Sequence, residues 1–390
     1  MVSQRNRLII SRFSALFKVL LTCALLLGPF HYALNADNVA LQENEIASQP
    51  AENGGDYEKK DEIDVGKVII DHILDGYDWH IADWGDIHFS IPLPVILIYE
   101  GKFNFFFSHK FNHGYDAYKG FKIAKEAPRK GQIIRVLEDG VTRDPNASMI
   151  IDLSLTKNSL SILIGSTLLI ILMIKVAKIY KKNGDNAAPK GVAGFIEPLV
   201  LFVKNDIAIS AIGERHYQKF LPYLLTVFFF IFLNNLLGLI PIFPGGANST
   251  GNIGVTFVLA MFTFFMTQIS GNRTYWQHIF NTPGVPIWLK LPIPLMPIIE
   301  IVGVLIKPIP LMLRLFANIT AGHMIILGFL SLIFVLGQTS AGLGWGISVL
   351  TVVFVIFMNF LELLVAFLQA YIFTMFSAVF FGLAVPEDHH

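Results

Sequence analysis

The chain has 390 residues, 54% of them hydrophobic and only 15% charged, with 34 phenylalanines. Soluble domains carry about 25% charged residues, so a single water-soluble globule is excluded, and a formal net charge of +0 removes the basic footprint of a nucleic-acid binder. One cysteine, Cys23, excludes an internal disulfide or a CxxC site, and no GxxxxGK(S/T) stretch offers a nucleotide-phosphate loop. An integral membrane protein remains. From Ile207 to Pro386 the acidic side chains are Glu214, Glu300 and Glu362 alone, whereas residues 37–158 read as water-exposed protein.

The N-terminus reads as a secretory signal over residues 1–36. Arg5, Arg7, Arg12 and Lys18 form a basic stretch, Val19 to Phe30 is a short apolar run, and Ala33 and Ala36 supply small residues near a cleavage point. A retained anchor is the alternative. Apolar residues continue past Cys23, which argues against a lipoprotein site. Asn38 to Asp64 is polar and reads as a linker. Ile87 to Phe111 alternates and is rich in Phe, Ile and Val, with Glu100-Gly101-Lys102 as a turn between two runs, the pattern of a β-hairpin. Residues 37–158 are therefore expected to form a small exported region. His72, His80, His88, His109 and His113 are scattered through it without zinc-ligand spacing, so no metal site is expected.

Ser159 to Val176 has the length of a membrane-spanning helix, and Lys175, Lys178, Lys181 and Lys182 cluster at its end. The positive-inside rule places those lysines in the cytoplasm and residue 159 outside, in agreement with an exporting signal. Phe195 to Gly213 carries Glu197, Lys204 and Asp206 among apolar residues, which suits an amphipathic helix on the cytoplasmic face. Phe220 to Ile240 is expected to cross outward, ending at Pro241 and the Gly245-Gly246 loop. Gly254 to Ser270 then crosses back, with Asn272-Arg273 and Lys290 marking the cytoplasmic side. Ile293–Leu336 and Ile347–Ala384 are each close to twice the usual spanning length. A helix of about 40 residues reaches about 60 Å, against a hydrocarbon core of about 30 Å. Such helices must tilt or bend, and Pro308 and Pro310 offer hinges. The expected fold is an all-α polytopic membrane protein. About five membrane helices, within a domain spanning 159–390, end in a long tilted hairpin with its C-terminus in the cytoplasm.

The hairpin is interrupted by Glu300, Lys307, Arg314, Asn318, His323, Glu362 and Gln369. A charged group at the centre of a membrane helix costs about 2.5–3.5 kcal/mol on insertion scales, so such residues mark a functional pathway. Glu300, Lys307 and Arg314 recur every seventh residue and share one stripe, which Asn318 extends. The connection is expected at Ser340-Ala341-Gly342-Leu343-Gly344. Reflection about position 342 sets Arg314 level with Gln369 and His323 level with Glu362. Lys307 could also snorkel to the interface, and Asn318 and Gln369 could be interhelical glue. Arg314 lies too deep for either.

The string Lys307-Pro308-Ile309-Pro310-Leu311-Met312-Leu313-Arg314-Leu315-Phe316-Ala317-Asn318, continuing to Gly322-His323, resembles the signature of the a subunits of F-type ATP synthases. Glu362 followed by Gln369-Ala370-Tyr371 resembles that family's final helix, and Leu233-Asn234-Asn235-Leu236 an earlier one. The resemblance covers about residues 150–386. It departs at Pro310, where serine is usual, and at Ala317, where glycine is usual. Neither position handles a proton. The exported region is not part of the common family pattern.

The resemblance implies a stator subunit in the bacterial plasma membrane, partnered by a ring of c subunits and by b-type peripheral stalk subunits. It implies no cofactor and no catalysis within this chain. Arg314 would face the ring, Asn318, His323, Glu362 and Gln369 would serve an outer half-channel, and Glu300 a cytoplasmic one. A fixed guanidinium lowers the proton affinity of a passing carboxylate and blocks a continuous proton wire. A secondary cation or proton transporter is the alternative, but it would show an internal repeat around a midplane site, and none is visible.

Overall fold

A computed structural model of the chain describes residues 75–385, apart from 85–86, 125–130, 138, 184–189, 241–242, 244, 248 and 282–294. The expected signal segment, the linker, Cys23, His72, Pro241 and Lys290 lie outside the described residues.

Short antiparallel pairs precede the membrane helices. β1 (Asp78–Trp84) pairs with β2 (Ile87–Pro92), and β3 (Pro94–Tyr99) with β4 (Lys102–Phe107). β5 (Phe121–Ile123) pairs with β6 (Ile133–Arg135), while β7 (Ile151–Asp152) lies on the other side of β3. The β3–β4 turn holds Glu100 at φ 50° and Gly101 at φ 72°. Two positive φ values in a two-residue loop match the right-handed twist of the strands. The expected hairpin thus starts later than the alternation suggested, because Ile87–Pro92 turns back onto β1 instead. Pro92 and Pro94 explain the division: neither has an N–H to continue a ladder. Val95 and Leu97 point inward from β3 against Phe106, Phe111 and Phe121, a small core of its own.

Nine α-helices and one π-helical stretch follow among the described residues. α1 (Lys157–Asn183) runs past Val176, since its terminal lysines favour helix and suit the negative end of the dipole. α2 (Val192–Phe202) continues through a π-helical stretch (Val203–Ile209) into α3 (Ser210–Ile212). This is the expected amphipathic segment. Its buried stripe, including Ile196, Val203, Ile207 and Ile212, packs on the bundle.

α4 (Tyr217–Leu239) is the hub, with every side chain from Phe220 to Ile231 buried. α5 (Ile253–Ser270), α6 (Arg273–Phe280) and α7 (Leu295–Ile306) lead to the hairpin of α8 (Pro308–Thr339) and α9 (Ala341–Ala384). Among the described residues five stretches are long and apolar enough to cross a membrane, α7 and α8 counting together as one.

The break after Ile306 falls at Lys307, and Pro308 opens the next helix where a missing N–H is harmless. Pro310 lies in the first turn of α8 for the same reason and breaks nothing. At about 1.5 Å per residue, α8 and α9 would be about 48 and 66 Å long, so both must slope through a bilayer. The turn is tighter than Ser340–Gly344: Ser340 alone is extended, and α9 starts at Ala341. Gly344 lies so close to Gly337 that a Cβ on it would stand 2.8 Å from the Gly337 Cα, which is why the helices can begin in contact.

Candidate functional site

Where the end of α4 meets the α8–α9 hairpin, a small polar cleft opens. His323 projects from α8 and Glu362 from α9, with Nδ1 3.7 Å from Oε1. Asn318 and Ile319 continue the α8 wall, and Val365 and Ala366 the α9 wall. The opposite wall is made by Asn234, Asn235 and Gly238 of α4 with Ala247, Ser249 and Thr250 of the loop beyond it.

Hydrogen bonds hold this frame together. Asn235 donates from Nδ2 to the Ala366 carbonyl at 3.3 Å, and its Oδ1 accepts from Thr250 Oγ1 at 2.6 Å. Thr320 Oγ1 donates to the Gly251 carbonyl at 3.3 Å, tying α8 to the same loop. Asn234 Oδ1 and Ser249 Oγ are buried without a hydrogen-bond partner among the described residues. An unpaired buried oxygen costs about 1–3 kcal/mol, so Ser249 Oγ favours water in the cleft, whereas Asn234 Oδ1 lies against Gly165 of α1.

A second small cleft lies toward the start of α8, between α5 and the end of α9. Thr263, Thr267, Gln268 and Lys307 give it polarity, and Leu311 and Phe380 close it. A buried hydroxyl chain runs beside it: Tyr223 Oη lies 2.8 Å from Thr263 Oγ1, which lies 3.2 Å from Ser377 Oγ. Lys307 Nζ sits 5.7 Å from the centre of the Phe380 ring.

Arg314 stands between the two clefts. It is three residues beyond Leu311 and four before Asn318, about 4.5 and 6 Å of helix rise. Its Cζ lies 4.8 Å from the centre of the Phe376 ring. A cation–π contact is worth about 0.5–2 kcal/mol, less than a buried charge costs in a membrane. Among the described residues no carboxylate pairs with Arg314. The hairpin is packed on one side only. α8 and α9 bury one side on α4 and α5, while Leu313, Phe357, Phe360, Leu364 and Phe376 remain exposed.

The sequence-derived residues therefore divide. Asn318, His323 and Glu362 line one cleft together. Gln369 is 4% exposed and buried in α9, but it lines neither described cleft and makes no hydrogen bond to Arg314. Phe376, two turns further on, takes that place. Cα–Cβ bonds tilt toward a helix's N-terminus, so the long Arg314 side chain reaches back along α8 and thus forward along antiparallel α9. Glu300 lies on α7, within electrostatic reach of Lys307, and the break at Lys307 interrupts the expected stripe. Lys307, not Glu300, lines the second cleft.

Sequence reasoning passed over the walls. Asn234 and Asn235 had a signal, adjacent amides inside an apolar helix. Ser249 and Thr250 had none, being ordinary loop residues, nor had Thr263 and Thr267, because small hydroxyls in membrane helices are ordinary.

Comparison with known proteins places this architecture. A family model described as ATP synthase A chain matches residues 160–382. A family described only as a domain of unknown function matches residues 68–153. Subunit a 2 of the ATP synthase of Chlorobaculum tepidum is 46% identical over 245 residues, 61% of this chain and 66% of that protein. ATP synthase subunit a of Chloroherpeton thalassium is 42% identical over 244 residues, 61% of this chain and 69% of that protein. The Myxococcus xanthus subunit a is 39% identical over 246 residues, 62% of this chain and 76% of that protein.

Proposed function

The chain belongs to the ATP synthase A chain family, and from that premise we propose that it is the stator subunit that feeds protons to the rotor of the synthase's membrane sector. It is a multi-pass membrane protein and part of the ATP synthase complex. Its direct partners in this reading are a ring of c subunits, against the open face of α8 and α9, and peripheral stalk subunits of the b type. The residence is the bacterial inner membrane. The lysine cluster at the end of α1 faces the cytoplasm, so residues 75–156 and the His323–Glu362 cleft face outward.

Protons enter that outer cleft, whose amides and hydroxyls hold water against His323 and Glu362. Imidazole and carboxyl, 3.7 Å apart, pass a proton from one to the other. The pair hands a proton to a carboxylate of the ring. The neutralised carboxyl then travels through lipid until it has turned back to the stator.

There it meets Arg314. The guanidinium favours the ionised carboxylate and expels the proton toward the cleft around Lys307 and Gln268. It also stands as a fixed positive charge between the two clefts, so protons cannot pass without turning the ring. Each proton crossing 100 mV supplies about 2.3 kcal/mol, which makes a leak past Arg314 costly to the cell.

The observation carrying this reading is Arg314 itself, without an acidic partner among the described residues of its own chain and about one turn from each of two polar clefts. Arg314→Ala in inner-membrane vesicles tests it. Proton-driven ATP synthesis should vanish and passive proton permeability should rise. Retained coupled synthesis overturns the reading.

A further inference from the structure

Residues 75–156 stand outside the family pattern, yet they touch the wall of the outer cleft. The Trp79 indole, 3% exposed, meets the Phe243 ring edge to face, with centroids 5.1 Å apart at 74°. Phe243 belongs to the loop between α4 and α5 and is itself 43% exposed. Four to seven residues further on, the same loop supplies Ala247, Ser249 and Thr250 to the cleft.

Both partners in this contact sit on anchored segments. The chain just before Trp79 is tied down at three successive residues. The Lys157 N–H donates to the Gly76 carbonyl at 2.8 Å and the Asn158 N–H to Asp75 Oδ1 at 3.0 Å, so the segment is fixed to the start of α1. Tyr77 donates its hydroxyl to Asp152 of β7. The loop carries Gly245, packed so closely on the end of α4 that a Cβ would collide with the Leu237 and Ile240 carbonyls, and Gly246 at φ +74°. Beyond them Thr250 and Gly251 tie the loop to Asn235 and Thr320, and Phe243 is its contact with the β-region. Its placement matters locally: a Cβ on Gly238 would lie 3.5 Å from the Ala247 carbonyl oxygen and 3.9 Å from His323 Nε2, so loop backbone and imidazole share one small space.

We propose that the exported β-region clamps the α4–α5 loop through Trp79 and Phe243, and thereby positions the outer wall of the cleft at His323. Trp79 and Phe243 are positioning residues: neither reaches the proton. The clamp rests on the reading of the His323–Glu362 cleft as the proton inlet. It assigns a purpose to a region that the family pattern leaves without one.

The test uses the intact complex in vesicles, with the catalytic head removed for flux measurements. Trp79→Ala and Phe243→Ala are compared with Phe243→Tyr, which keeps the ring. The exposed Phe243 can be truncated without opening the β-region's core. Backbone amide exchange over residues 245–252 should quicken by roughly two- to tenfold in both alanine variants, the range an aromatic pair supplies. The dependence of proton uptake on outer pH should shift with it, and Phe243→Tyr should restore both. Unchanged exchange overturns the clamp. Faster exchange with an unchanged pH profile also overturns it, since the loop would then not govern the inlet. Glu362→Gln is run alongside: if it conducts like the parent, the inlet reading has failed, and the clamp falls with it.

Discussion

The Glu362 carboxylate lies directly over Gly322, one residue before its imidazole partner on the same helix turn. A methyl group on Gly322 would stand 3.2 Å from the carboxylate carbon and would overlap Oε1. Glycine is thus required by contact rather than by backbone angle. Gly322→Ala must push the carboxylate away from His323. The carboxylate is the tip of a flexible side chain and yields at little cost in stability, but a misplacement of about 1 Å from the imidazole can cost up to about 100-fold, so proton conduction should fall by about tenfold or more. Dye quenching in vesicles stripped of the catalytic head reads this directly. Conduction equal to the parent's would show that the carboxylate's position is immaterial.

Asn235 holds three elements at one point, bonding to Thr250 of the loop and to Ala366 of α9 from α4. Asn235→Leu removes both bonds and leaves the Thr250 hydroxyl and the Ala366 carbonyl without them. At about 1–3 kcal/mol for each stranded group, the purified complex should lose this subunit at a markedly lower temperature. Asn235→Asp, which can still accept from Thr250, should fall between the two. A melting profile identical to the parent's for Asn235→Leu would mean that the bonds contribute nothing net.

How much of this was legible in the sequence depends on what set each contact. The meeting of His323 and Glu362 follows from a turn position and helix geometry, and reflection about 342 located it. The same reflection set Gln369 beside Arg314, where Phe376 lies, because reflection treats side chains as points and arginine is long. The clefts were not legible, since each has walls from helices distant in sequence. Their hydroxyls hide in plain helical pattern: Thr263 and Thr267 donate to carbonyls four residues back, Leu259 and Thr263, and read as neutral spacers. β1 escaped for a different reason. A register shift between His80 and Ala82 spoils the period-two alternation by which a strand is recognised.

The C-terminal end of α9 depends on a similar absence of side chain. Gly382 packs so closely on α3 that a Cβ would collide with the Ala211 carbonyl. Neither partner is the tip of a flexible chain, so the backbone itself would have to move. Gly382→Ala should separate α9 from α3 and lower the amount of assembled complex in the membrane, by an overpacking cost of about 1–3 kcal/mol. Immunoblotting of membranes measures it. Normal assembly would show that the α9 terminus can shift without consequence.

Asp75 makes the junction between the β-region and α1 sensitive to pH. Burial pushes its carboxyl above the ordinary value of 3.8, against the opposing hydrogen bonds from Asn158, Thr156 and Gly76 and the nearby Lys157 charge. A carboxyl whose folded affinity for protons exceeds its unfolded one binds more protons when docked. The junction is therefore firmest in acid and loosens as pH climbs from 3.8 through the raised folded value. Asp75→Asn keeps an oxygen to accept from the Gly76 and Asn158 N–H groups and removes the charge whose burial is unfavourable. The variant should hold the β-region equally firmly across that range. Limited proteolysis between residues 75 and 156, followed against pH in the intact complex, distinguishes the two. Parallel pH profiles for the parent and the Asp75→Asn variant would assign the sensitivity to another group.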